Sequence, residues 1–341
     1  MSRRLGLAVI AAGLGLSLAA CTSAPPPSSP SPTPLATSVE PTPASAPAEP
    51  TPPETAVSGG SEFYNAGGSA ATAYAQLVEQ GRDADAALIK RIADQPVATW
   101  LGDWQSADAA GDTAKGVTAA AGQAGQVAVF VLYAIPGRDC GLHSAGGVPE
   151  DRYLEFAGAV AEGIAAGDGQ AWVVLEPDAL AQWGDCEGQG DRLGLLAGAA
   201  EVLDDAGASV FLDAGHSDWH SAQEIAQRLE RVGTAHLTGF STNVSNYQTT
   251  ADERAWAEDV AARTGLEFLV DTSRNGNGSD GQWCNPRGRA LGEPPAVREV
   301  GPMVATVWVK APGESDGQCN GGPAAGQWWM DVALELARNS G

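Results

Sequence analysis

Short apolar or β-branched runs alternate along the chain with longer alanine-rich segments that carry a helical period. The runs predict seven strands, at residues 98–101, 127–135, 171–176, 210–213, 237–241, 268–271 and 304–309. Helices are predicted at residues 69–80, 107–121, 152–166, 191–206, 221–232, 252–264 and 327–338. Strands that are apolar throughout need helices on both faces, which indicates an α/β domain with a parallel sheet. Seven such repeats favour a TIM-like β/α barrel over an open sheet.

The first sixty residues do not share this pattern. Residues 1–20 predict an export signal, because two arginines precede an apolar run that is too short to span a membrane. The sequence Leu-Ala-Ala-Cys that ends at Cys21 resembles a bacterial lipobox, in which the cysteine is lipidated; an ordinary secretory signal is the alternative. Residues 21–60 are rich in Pro, Thr, Ser and Ala and predict an extended tether. Residues 61–341 then form the folded, functional domain, on a lipid-anchored cell-surface protein or a secreted one.

Composition narrows the possible partners. The chain has 19 Lys and Arg against 42 Asp and Glu, a formal net charge of −23. A negative field of this size repels nucleic-acid backbones, so no nucleic-acid partner is expected. A monomer is expected.

The cysteines indicate an oxidising compartment. Apart from Cys21 there are four, at Cys140, Cys186, Cys284 and Cys319, an even number that can pair in three ways. Their spacing lacks the close pairs of a structural zinc site, so disulfides are favoured. No metal and no organic cofactor is expected.

Polar and aromatic residues follow nearly every predicted strand. In barrels of this class the carboxyl ends of the strands build the active site. A lone Asp in such a place is more often a helix cap, but seven strand ends with unusual chemistry favour a shared site. In chain order the residues are Trp100; Tyr133, Arg138 and Asp139; Glu176 and Asp178; Asp213, His216 and Trp219; Asn243 and Asn246; Asp271 and Arg274; Lys310, Glu314 and Asp316.

Several acids with Trp and Tyr at one rim suit the cleavage of glycosidic bonds. One carboxylic acid must protonate the leaving oxygen while another carboxylate activates water or attacks, and flat rings stack on sugars. No Gly-x-Ser-x-Gly turn supports a serine hydrolase. A lipid-anchored sugar-binding protein of a transporter is the alternative from another class.

Six ordered motifs resemble glycoside hydrolase family 6, whose members cleave β-1,4-glucans with inversion. They are YAIPGRDC at 133–140, VLEPDAL at 174–180, DAGHSDW at 213–219, NVSNY at 243–247, DTSRNG at 271–276 and WVKAPGESDG at 308–317. The resemblance runs from about Phe63 to the C-terminus and implies a distorted barrel of seven strands.

The resemblance also implies roles for individual residues. Asp178 corresponds to the general acid, and Asp139 to a neighbouring carboxylate that raises the acid's pKa and helps to relay a proton. Asp316 is the candidate base, acting directly or through water, and Arg274 and Lys310 are the cations that keep it ionised.

Further residues are implied to hold the substrate. Tyr133 lies under the distorted sugar and Asp213 supports the site. The serine that helps to hold the attacking water in relatives is expected near the Ser144-Ala145 pair; Ser144 could serve, but the water is held differently if the corresponding position is Ala145. The remaining substrate-binding candidates are Trp100, His216, Trp219, Asn246, Trp283, Lys310 and Glu314. The implied disulfides are Cys140–Cys186 and Cys284–Cys319.

The loop lengths bear on the mode of cleavage. Both implied disulfides enclose short segments, whereas processive relatives cover their clefts with long insertions. The resemblance therefore implies an endo-β-1,4-glucanase that acts on β-1,4-glucan, with a cellobiohydrolase of the same family as the alternative.

Overall fold

The computed structural model describes residues 62–340, which form eight α-helices, eight strands and one short 3-10 helix at Asp139–Gly141. The export signal, Cys21 and the tether predicted for residues 1–60 lie outside the described residues. In chain order the elements are α1 Ser69–Glu79, α2 Asp83–Ala93, β1 Thr99–Gly102, α3 Ala107–Ala124, β2 Ala128–Tyr133, α4 Glu150–Gly167, β3 Ala171–Leu175, α5 Arg192–Asp205, β4 Ser209–Asp213, α6 Ala222–Val232, β5 Gly239–Thr242, α7 Thr250–Thr264, β6 Glu267–Asp271, β7 Ala296–Val300, β8 Met303–Val307 and α8 Met330–Asn339.

All eight strands belong to one sheet in the order β1-β2-β3-β4-β5-β6-β8-β7. Strands β1 to β6 and β8 pair in parallel, and they are the seven strands that the sequence predicts. Strand β7 is an additional antiparallel edge strand on β8. Its sequence, AVREV, lacks the apolar run by which the other strands were found. The parallel α/β class is therefore confirmed, with eight strands in place of seven.

The sheet curls into a distorted, incompletely closed barrel. Strands β1 and β8 do not pair in register, yet the backbone N–H of Ala98 donates to the carbonyl of Trp308 at 2.9 Å. The indole N–H of Trp100 donates to the carbonyl of Val309 at 2.8 Å. These two bonds join the first parallel strand to the last, so the carboxyl ends of the strands share one rim.

The core has two apolar layers because side chains alternate between the faces of each strand. Along β2, Phe130 and Leu132 pack outward among residues of the surrounding helices. Val129, Val131 and Tyr133 point into the barrel and pack with interior residues of other strands. Tyr133 is the last of them and lies at the rim.

Two helical features complete the fold. Helix α2 was not predicted, although its buried residues Ala86, Ile89 and Ile92 follow a helical spacing. It packs with α1 and α8 in a small separate cluster. None of the helices within residues 62–340 combines the length and the apolarity that crossing a bilayer requires.

Candidate active site

A cleft of about 640 Å³ opens at the carboxyl ends of the strands. It brings together predicted site residues from strand β1, from the end of β2 and from the loops after β2, β3, β5, β6 and β8. These are Trp100, Tyr133, Asp139, Ser144, Asp178, Asn246, Trp283, Lys310, Glu314 and Asp316. Residues that are distant in sequence therefore line one cavity, as the strand-end argument requires.

Asp178 follows β3 in a turn with an unusual backbone. Glu176 and Asp178 both have positive φ, 48° and 67°, a conformation that costs energy for residues other than glycine. The half-buried Asp178 side chain faces the cleft. Burial raises the pKa of Asp178 well above its usual value, and the nearby carboxyls of Asp213 and Asp139 raise it further. A carboxylic acid with a raised pKa keeps its proton to higher pH and can donate it.

Two other carboxyls support this turn from below. The Asp213 carboxylate accepts the backbone N–H of Asp178 at 2.9 Å and the hydroxyl of Ser241 at 3.0 Å. Glu176 accepts the backbone N–H of Ala134 at 2.9 Å, so it joins the end of β3 to the end of β2. Both carboxyls are fully buried, and burial raises the pKa of each to about 7.

Asp139 lies beside this acid on the loop after β2. Its carboxylate accepts the backbone N–H of Ser144 at 3.0 Å and the side-chain amide of Gln182 at 3.3 Å. Ser144 and Ala145 both line the cleft. The loop is therefore folded around the carboxylate that the sequence predicts to assist Asp178.

Asp316 has the opposite electrostatic environment. Arg274 Nη1 lies 2.9 and 3.0 Å from the two carboxylate oxygens, and Lys310 Nζ lies 3.6 Å away. Tyr247 OH and the backbone N–H of Asn285 also donate to it, each at 3.0 Å. Burial alone would raise the pKa of Asp316, but the two cations and these donors outweigh it and lower the pKa. Asp316 is thus held ionised, ready to accept a proton.

Aromatic rings form one wall of the cleft. Trp100 meets Tyr133 edge to face, with 5.2 Å between ring centroids, and the Arg138 guanidinium lies 4.3 Å from the Tyr133 centroid. Trp283 is 48% exposed and Trp104, which the sequence analysis missed, is 57% exposed. The spacing Trp-x-x-x-Trp after β1 was a signal that could have found Trp104.

Four predicted site residues do not line this cleft. Asp213 and Arg274 lie beneath it, in contact with Asp178 and Asp316. His216 and Trp219 pack together on the loop after β4, with 5.5 Å between ring centroids. Their assignment to substrate binding stays a prediction.

Sequence reasoning missed three polar residues that hold the carboxylates. Gln182 contacts Asp139, while Tyr247 and Asn285 contact Asp316. Tyr247 was within a quoted motif. Nothing local to the sequence singles out Gln182 or Asn285, because the fold alone brings them to their partners.

Both disulfides form with the implied pairing, Cys140–Cys186 and Cys284–Cys319. His143 lies close to the second pair, and this is the cluster of metal-ligand side chains found among residues 62–340. The disulfide uses both sulfur atoms, so the cluster presents no thiolate to a metal.

The full set of motifs can be compared with known proteins. The chain matches the family model of the glycosyl hydrolases family 6 over residues 59–340. The chain belongs to this family. It is 54% identical over 258 residues to endoglucanase A of Cellulomonas fimi, a match that covers 75% of this chain and 57% of that relative. Endoglucanase 1 of Streptomyces halstedii is 39% identical, covering 83% of this chain and 90% of the relative.

Solved structures of family 6 agree with the fold. The endoglucanase Cel6 from Mycobacterium tuberculosis, in complex with a thio-linked methyl cellobiosyl-cellobioside, superposes with a TM-score of 0.76 and 38% sequence identity. The match covers 82% of this chain and 98% of that chain. The resemblance to the family and its distorted barrel is thereby confirmed.

Proposed function

We propose that the chain is an endo-β-1,4-glucanase, which hydrolyses internal bonds of cellulose and related β-glucans with inversion. One observation carries the proposal: Asp178 and Asp316 line the same cleft, and their pKa values are displaced in opposite directions. Two carboxyls whose pKa values are displaced in opposite directions can act as a general acid and a general base.

In the proposed mechanism a water molecule attacks the anomeric carbon as the glycosidic bond breaks. Asp178 donates its proton to the departing glycosidic oxygen. Asp316 takes the proton of the attacking water, directly or through a water chain beside Asp139 and Ser144. Tyr133 lies under the sugar at the cleavage point. The remaining cleft residues, among them Trp100, Trp283, Asn246, Lys310 and Glu314, hold the flanking sugars.

The endo mode is supported by relatives that bear the name endoglucanase at 39% to 54% identity. One contact favours a cellobiohydrolase as the second candidate. His143, on the loop after β2, lies with its ring centroid 5.8 Å from that of Trp283, on the loop after β6. The loops after β2 and β6 therefore touch at one point of the cleft. A more extensive contact between these two loops would cover the cleft and enclose a glucan chain.

The decisive experiment follows the purified protein on carboxymethylcellulose. Endo cleavage predicts a steep loss of viscosity for few reducing ends released, with α-anomers appearing first in proton NMR spectra. A slow loss of viscosity with cellobiose as the main product would favour the cellobiohydrolase. Release of no sugar would contradict both the endoglucanase and the cellobiohydrolase and would favour the sugar-binding protein.

We also propose that the enzyme is exported and works as a monomer outside the cell, held by a lipid on Cys21. In this proposal residues 1–20 are the signal, residues 21–60 carry the lipidation site and tether, and residues 61–341 are the catalytic domain. Cellulose is too large to enter a cell, which supports an external location. Globomycin, which blocks processing of lipidated precursors, should leave the uncleaved form in membranes; unaffected processing would contradict lipidation.

A further inference from the structure

Trp104 is a large apolar side chain that the fold leaves in water. It is 57% exposed, and it lines the cleft on the loop after β1. Large exposed aromatic rings commonly mark binding surfaces, because a partner is needed to cover them.

The backbone that carries Trp104 is held firmly. The N–H of Gln105 donates to the carbonyl of Gly102 at 3.1 Å and closes the backbone turn that contains Trp104. The intervening Asp103 carboxylate accepts Arg138 Nη1 at 2.8 Å and the N–H of Gly147 at 2.7 Å. A ring on such an anchored turn loses little freedom when a ligand covers it.

Gly102 sets where the Trp104 ring lies. A Cβ atom at Gly102 would come within 2.3 Å of the ring carbon Cζ3, so a side chain there would displace the ring. One edge of the indole therefore rests on bare backbone.

Trp104 continues the aromatic wall of the cleft outward. The Arg138 guanidinium lies 4.3 Å from the Tyr133 ring centroid and 5.8 Å from that of Trp104, so one cation links the two rings. Tyr133 is 8% exposed and lies at the buried end of this wall, whereas Trp104 lies at its exposed rim.

We propose that Trp104 is an outer sugar-binding platform that stacks on a glucosyl unit beyond those held at Tyr133 and Trp100. This inference rests on the proposed function, since the occupant is a further unit of the same β-1,4-glucan chain. The axial C–H groups of a pyranose ring can stack on the face of an indole. Because Trp104 lines the same cleft as Tyr133 and Trp100, a glucan chain bound at those two rings can extend to it.

The test measures binding of cello-oligosaccharides by calorimetry, with Asp178→Ala in every protein so that no ligand is cleaved. Ligands run from cellobiose to cellohexaose. With Trp104 present, affinity should rise in steps with length, and the step that reaches Trp104 should disappear in Trp104→Ala. The expected loss is about tenfold for the longest ligand and none for the shortest. Trp104→Phe should restore part of the step, and Leu154→Ala, an exposed change on α4, should leave it intact.

Two outcomes would overturn the inference: equal affinities of Trp104→Ala and its parent at every length, or a uniform loss at every length. The second would mean that the indole only supports the loop. Activity of the unmutated enzyme is measured separately. A protein that binds these ligands without cleaving glucan would refute the proposed function and still decide the role of Trp104.

Discussion

The backbone N–H of Asp178 donates a 2.9 Å hydrogen bond to the carboxylate of Asp213. The second carboxyl is fully buried at the end of β4 and also accepts Ser241 Oγ and the N–H of Gly215. This contact has two effects on the proposed acid. It holds the turn that aims Asp178 into the cleft, and it places a second carboxyl near enough to raise the pKa of Asp178.

Asp213→Asn should move the basic limb of the pH–activity profile to lower pH. The acid must be protonated to work, and loss of the Asp213 charge removes one cause of its raised pKa. The control is Ser241→Ala, which removes a hydrogen bond and keeps the carboxyl. An unmoved basic limb in Asp213→Asn would contradict the coupling.

The same substitution should flatten the dependence of stability on pH. Burial raises the pKa of Asp213 from 3.8 to about 7, so the folded protein binds a proton that the unfolded chain releases at lower pH. Its contribution to stability is complete below pH 3.8 and is lost as the pH rises through about 7. Urea unfolding between pH 4 and pH 8 should show a smaller decline for Asp213→Asn. If stability fell equally in Asp213→Asn and the wild type, the fall would come from other buried acids, such as Glu176.

Lys310→Met should move the acidic limb of kcat to higher pH. Burial raises the pKa of Asp316, Arg274 lowers it most, and Lys310 at 3.6 Å lowers it next, so removal of the Lys310 charge should raise the pKa of Asp316. Lys310→Arg retains a cation and should keep the wild-type limb. The acidic limb is followed in kcat because Lys310 also lines the cleft, so its loss can change KM as well. An unchanged acidic limb in Lys310→Met would remove Asp316 from the role of base.

The sequence predicted the parallel strands well because buried strands leave a strong signal. All seven appeared as apolar runs, and their ends differ from the structure by no more than about two residues. Strand β7 was missed because it packs at an edge and carries charges. Its pairing with β8 depends on contacts that no local pattern encodes.

The proposed site was partly predictable for a related reason. Carboxyl ends of parallel strands meet at one rim, so Asp178 and Asp316 could be placed together from the sequence. The donors Gln182 and Asn285 could not, because each lies in an irregular loop and reaches its carboxylate through tertiary folding. The opposite shifts of the pKa values of Asp178 and Asp316 likewise depend on burial and on neighbouring charges, which only the folded chain supplies.

The two disulfides should affect opposite limbs of the pH profile. Cys140 directly follows Asp139, whereas Cys284 precedes Asn285, which donates its N–H to Asp316. Replacing either pair by serine should lower the free energy of unfolding by about 2–4 kcal/mol. Loss of Cys140–Cys186 should change the basic limb, and loss of Cys284–Cys319 the acidic limb. Identical profiles for the two double variants would show that the disulfides stabilise the fold without positioning these groups.

Glu176 should prove to be a positioning residue for the acid. Glu176 stands two residues before Asp178, and its buried carboxyl ties the end of β3 to Ala134, which directly follows the neighbouring strand β2. Glu176→Ala should reduce hydrolysis of β-glucan by about a hundredfold, because a misplaced acid cannot protonate the leaving oxygen. Glu176→Gln keeps the acceptor oxygen and should retain most activity.

A substrate that needs no acid separates this role from a general loss of structure. Dinitrophenolate leaves without protonation, so Glu176→Ala should hydrolyse 2,4-dinitrophenyl β-cellobioside far closer to the wild-type rate than it hydrolyses β-glucan. Glu253→Ala provides the matched control, since this fully buried carboxyl accepts the N–H of Ser217 at 2.9 Å on the loop after β4. Its removal should slow both substrates by a similar factor. If Glu176→Ala also slowed both equally, Glu176 would support the barrel as a whole, and the placement of Asp178 would depend on Asp213 alone.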